Sequence, residues 1–281
     1  MRARKAYFTS SLVLLMAALI TAATQAAPTL QDLGLKASYI QGAVVRGQAP
    51  EGFEVSVNGK VLRKGPQGEF VFGLGRDATD VVLAVQGANQ PLAVLPLAIE
   101  SRTYNIQRVD GVPAKTVTPP KAQLERIHKE SALARAARDV DSQLTDFSQA
   151  FQWPLTGRIT GVYGSQRVYN GVPKNPHFGV DVARPTGTVV VAPVGGNVRL
   201  AYDDMFFSGG TLIVDHGHGL TSTFIHLSEI LVEEGQRVEQ GDPIAKVGAT
   251  GRATGPHLDW RMNWFDERVD PQTLVGPMPG Q

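Results

Sequence analysis

The sequence predicts a mainly β protein, in which a small β-sandwich and a long linker helix precede a C-terminal antiparallel β domain. Three observations predict it. Short apolar stretches broken by glycine-rich turns run through both halves of the chain. One stretch of helical spacing lies between them. No such stretch separates the C-terminal strands, so hairpins are expected there rather than parallel crossovers.

The elements follow in chain order. Arg2, Arg4 and Lys5 open the chain, an apolar run extends from Leu12 to Ala23, and Thr24-Gln25-Ala26 supplies a small-x-small site. This is the pattern of a signal peptide over 1–26, cleaved near Ala26. Its apolar core is shorter than the roughly 20 residues of a membrane span. The expected location is therefore the periplasm, with no stable membrane insertion after cleavage. The chain has no cysteine, so disulfides do not stabilise it. Its net charge is +1, which gives no footprint for a nucleic-acid partner.

Residues 35–106 are read as the β-sandwich. Gly52–Val57 alternates in polarity, Asn58-Gly59 is a strong hairpin signal, and Lys60–Leu62 resumes the strand. Glu69–Phe72 and Val81–Val85 add further strands. Residues 107–120 are proline-rich and read as a linker. Residues 121–151 read as one amphipathic helix, with Leu124, Ile127, Leu133, Ala136, Val140 and Leu144 near the spacing of one face. From Trp153 onward, Thr188–Ala192, Asn197–Ala201, Thr211–Val214, Thr221–Ile225, Pro243–Val247 and His257–Trp264 read as strands.

Five of the six histidines fall in this last region: His177, His216, His218, His226 and His257. His216 and His218 lie in Asp215-His216-Gly217-His218-Gly219, which reads as a turn. Tyr163, Arg167 and Asn170 precede His177 and, by position, could line a groove or a plain surface loop. His177 and Asp181 form H-x-x-x-D. A straight strand would hold them roughly 13 Å apart, so sharing one ion requires a bend, which Gly179 could permit. His257, Asp259 and Arg261 alternate along one strand and share a face.

Together with Phe224-Ile225-His226-Leu227-Ser228, and with Gly251 to Leu258 as G-x-x-x-G-P-H-L, these motifs resemble the lysostaphin/LytM family of zinc metallopeptidases. The resemblance covers about Trp153 to Pro271. It implies that residues 153–274 form a LytM-type peptidase domain hydrolysing peptide cross-links of peptidoglycan. It also implies that His177 and Asp181 bind one Zn2+, while His226 and His257 are catalytic, orienting the water and stabilising the oxyanion. The family's third ligand is normally the second histidine of an H-x-H strand, and Asp259 stands there instead.

Two readings of Asp259 are open. As third ligand it makes a His-Asp-Asp set that neutralises a divalent ion, weakens it as a Lewis acid and admits divalent metals other than zinc. Paired with Arg261, it leaves the metal site weak or lost. The second reading fits a different function, a non-catalytic activator of cell-wall amidases. A regulatory envelope protein is a further expected partner. The hairpin-like run Gly235–Ile244 also resembles a lipoyl carrier, but Lys246 reads as mid-strand rather than at an exposed turn.

Overall fold

A computed structural model describes residues 27–88, 90–110 and 121–280. The expected signal peptide lies outside them, as does most of the expected linker. The chain is mainly β, with one α-helix among the described residues.

The first unit is built from short strands. Phe53–Val57, Lys60–Val61, Val82–Gly87 and Ala93–Pro96 form one antiparallel sheet. Val44–Gln48 and Glu69–Gly73 form a second pair. Asn58 and Gly59 both have positive φ, as the tight turn before Lys60 requires. Alternation along Phe53–Val57 buries Phe53, Val55 and Val57 against Phe70, Phe72, Leu83 and Val85. Leu33 joins this core, so the unit begins ahead of residue 35.

The second unit centres on an antiparallel sheet. Its strand order is Arg158–Gly161, Gly179–Ala183, His257–Trp264, Leu220–Leu227, Gly209–Gly217, Gly196–Met205 and Arg237–Val238, with Glu267–Val269 also on His257–Trp264. Val180, Val182, Phe224, Leu258, Trp260 and Met262 fill the core beneath it. Phe147, Phe151, Val275 and Met278 belong to the same core, so its packing extends beyond 153–274 at both ends.

Three expectations are corrected. The helix spans Leu124–Arg138, not 121–151. Asp139-Val140-Asp141-Ser142 follows it, four residues of poor helix propensity. The chain then turns so that Phe147 enters the core and Asp146 pairs with Arg237 at 2.7 Å. Nor does the helix bury the expected apolar face. Leu124 and Leu133 are exposed, while Glu130 and Ala137 are buried. Ala134 and Ala137 pack on Leu200, Met205 and Ile213, because small side chains let the helix lie close to the sheet. Last, residues 107–109 are not linker. Ile106–Val109 is a strand paired parallel with Gln166–Tyr169.

The two units are joined by more than that strand. Trp264 packs against both cores. Arg102 meets the buried Asp270 at 2.7 Å. Lys60 Nζ sits 3.3 Å from the Phe265 ring centroid.

Candidate metal centre

His177, Asp181 and Asp259 come together although 82 residues separate the first and last. One donor atom from each lies within 4.8 Å of the others. Cross-strand register does most of this. Asp181 stands directly opposite Asp259 where Gly179–Ala183 pairs with His257–Trp264, and opposite residues share a face. His177 precedes the strand and is set by two backbone bonds with the 164–165 turn, Gly164 N to His177 O and His177 N to Ser165 O, both 2.7 Å. Its Nε2 lies 3.1 Å from Asp181 Oδ1 and 3.3 Å from Asp259 Oδ2.

The bend therefore falls ahead of Gly179, which is an ordinary strand residue. Gly179 matters for space instead. A Cβ there would stand 2.4 Å from Asp259 Oδ1. At Gly161 a Cβ would stand 2.2 Å from Asp181 Oδ2. Two glycines thus leave room for the two carboxylates.

The residues present fit a divalent cation. Asp181 Oδ1 is buried and accepts no well-aligned hydrogen bond, an arrangement that costs free energy unless a cation takes it up. His177 Nδ1 lies 3.3 Å from the Val162 carbonyl, to which it can donate, leaving Nε2 toward the carboxylates. Burial opposes charging of His177, but Asp181 and Asp259 more than offset it and push its pKa up to about 10. The field that favours a proton there would favour a metal ion too. An imidazole with two carboxylates is an ordinary donor set for zinc.

Both sequence readings of Asp259 describe the same side chain. It belongs to the cluster and also pairs with Arg261, whose Nε donates at 3.0 Å and Nη2 at 2.6 Å. A carboxylate has about four acceptor sites, so Arg261 does not exhaust it. Desolvation would raise the Asp259 pKa, but Arg261 and His177 outweigh it and hold the group ionised.

His226 and His257 lie beside the cluster, their rings 4.9 Å apart. Each fixes one ring nitrogen on a backbone carbonyl: His226 Nδ1 to Thr250 O at 2.9 Å, His257 Nδ1 to Gly255 O at 2.8 Å. Donation from Nδ1 leaves Nε2 as the lone-pair nitrogen. His257 Nε2 is 3.9 Å from Asp181 Oδ1. Burial lowers the His226 pKa, keeping that imidazole neutral. His226 has φ of 64° at a register shift between its strand and Gly209–Gly217. Such a bulge re-aims a side chain at some backbone cost.

Other candidates fall elsewhere. His216 and His218 are buried away from the cluster. His216 bonds Gly195 O and Ser222 Oγ, each at 2.8 Å, and His218 takes the positive φ of the turn. Tyr163 is buried rather than lining a groove, its hydroxyl donating to Arg268 O at 2.7 Å. Arg167 is exposed. Sequence reasoning missed Thr250 and Gly161, which carry no motif of their own.

Residues 175–271 match the model of Peptidase family M23. The chain is 30% identical over 249 residues to an uncharacterized metalloprotease of Haemophilus influenzae, covering 89% of this chain and 46% of that one. It is 39% identical over 126 residues to peptidoglycan DD-endopeptidase ShyA of Vibrio cholerae, covering 43% and 29%. The chain thus spans less than half the length of these relatives. A crystal structure ascribed to peptidase M23 from Pseudomonas aeruginosa superposes with a TM-score of 0.65 at 30% identity, covering 84% of this chain and 95% of that one.

Proposed function

Because the chain belongs to peptidase family M23, we propose that it is an exported, zinc-dependent endopeptidase cutting peptide cross-links of peptidoglycan in the periplasm. The observation that carries this is the His177–Asp181–Asp259 donor set beside two imidazoles anchored on backbone carbonyls. The likeness to ShyA, a peptidoglycan DD-endopeptidase, supports the substrate class. No helix among the described residues is long and apolar enough to cross a membrane.

His177, Asp181 and Asp259 would hold the ion. When bound, it supplies Lewis acidity to the scissile carbonyl and a more acidic water. The neutral His226 is suited to accept a proton at Nε2. His257, with Nδ1 held by Gly255 O, can take up a proton at Nε2 and, as the imidazolium, hydrogen-bond the developing oxyanion and then pass that proton to the leaving amine. The bulge at His226 and the bond to Thr250 fix that ring before substrate arrives.

The test is digestion of purified peptidoglycan by the metal-loaded chain. Release of soluble muropeptides is expected, with His257→Ala slower by roughly 100-fold or more. Equal inactivity of both proteins would favour the second reading, a non-catalytic LytM-type activator of amidases, which the three contacts from Arg261 to Asp259 keep in play.

A further inference from the structure

Beside the metal centre, on the same face of the sheet, is a group of cations and hydroxyls of which the proposed hydrolysis uses only the contact of Arg261 with Asp259. Arg261 follows Asp259 by two residues along one strand, so both project from one face. Thr223 stands directly opposite Arg261, and Thr221 opposite Asn263. Arg268 stands on the other side of Asn263 and donates from Nη1 to its Oδ1 at 3.1 Å. Arg138 is the last residue of the helix whose Ala134 and Ala137 pack on Ile213, the residue opposite Thr223 on this face.

Two features mark this group as incomplete. Thr221 is fully buried and Thr223 is 5% exposed, yet neither hydroxyl has a hydrogen-bond partner. Buried hydroxyls are normally satisfied. The charge is also one-sided. Burial first, and then the Arg138 and Arg261 guanidiniums, pull the Arg268 pKa down to about 10. Asp259 and Asp266 offset part of that charge.

We propose that Arg138, Arg261 and Arg268, with the Thr221 and Thr223 hydroxyls, form a subsite for a carboxylate of the peptide being cut. This rests on the reading of the protein as a peptidoglycan endopeptidase, whose peptide substrates carry free carboxylates. A carboxylate suits the donors: it accepts bidentate pairs from guanidinium and further bonds from hydroxyls. Arg261 gives Nε and Nη2 to Asp259 and keeps N–H groups for another acceptor. Because it touches Asp259, the subsite would place a substrate carboxylate at a fixed offset from the reacting centre, selecting which amide bond lies there.

The test compares binding of single-peptide muropeptides, which hold no cross-link to cleave, to the full metal-loaded chain. One sample keeps its carboxylates, and the other has them converted to carboxamides with carbodiimide and ammonia. Titration calorimetry is expected to give about tenfold or more tighter binding of the native form, as suits a charge-assisted contact. Arg268→Gln should bring the ratio near one with metal content unchanged. Arg138→Gln, a change on the helix outside the sheet, should lower the ratio in the same direction. Equal dissociation constants in the unaltered chain, a ratio that survives both substitutions, or no binding of either sample would overturn the subsite. The hydrolase reading fails on a separate result, the release of no soluble peptide from intact peptidoglycan.

Discussion

Arg261 sets the charge of the proposed ligand group. Two carboxylates and a neutral imidazole would cancel a divalent ion, which by itself predicts a weak Lewis acid. Arg261 lies 2.6 Å from Asp259 Oδ2 and returns one positive charge. The total is then the +1 that two imidazoles and one carboxylate would leave. Arg261→Met should therefore retain roughly one metal ion per chain while peptide release slows on the order of tenfold, as for other partners of a ligand. Metal analysis beside muropeptide release checks this, and loss of the ion would show that Arg261 holds Asp259 in place instead. His216 gives a prediction of opposite character. Full burial disfavours its charged form and lowers its pKa, whereas the unfolded chain protonates near 6.5. Its contribution to stability is complete above that value and is lost as pH falls toward the folded pKa, because only the unfolded state takes up the proton. Denaturation midpoints between about pH 5 and 7 should fall with acid, less steeply in His216→Gln.

The helix Leu124–Arg138 is attached through Glu130. This buried carboxylate accepts from Phe206 N at 2.7 Å and from Arg126 Nε at 2.6 Å. The bonds reach the 206–208 loop, where Ser208 O accepts from His226 N at 2.8 Å and Phe207 O from Arg252 N. Glu130→Ala leaves the Phe206 N–H without its acceptor and should cost about 1–3 kcal/mol, read by urea denaturation. This attachment was hidden in the sequence. Periodicity there points to Leu124 and Leu133, which are exposed, because a helix seated by two alanines and a glutamate gives no apolar stripe. Strands were more legible: His257–Trp264 has the bounds its sequence pattern indicated. Arg158–Gly161 was not legible, since it is half exposed and held by register with Gly179–Ala183. Among the candidate site residues, His177, Asp181 and Asp259 were legible through the motifs that resemble the LytM family, and the structure brings the three together. Gly161 was not, because its part is to be small beside a residue 20 positions away.

The β-sandwich and the sheet unit pack as one body through Trp264, which lies against both cores. Trp264→Ala should lower stability by about 3 kcal/mol or more and replace a single calorimetric transition with two. Sequence patterning found both units but not this seam, since nothing in the alternation of Gly52–Val57 says which outside surface it meets. The strand Ile106–Val109 has a further consequence. It leaves the first unit and hydrogen-bonds alongside Gln166–Tyr169, in the segment that leads to His177. A protease nick between Asp110 and Lys121 would therefore release nothing. The two fragments would stay zipped together by main-chain bonds and come apart only in denaturant.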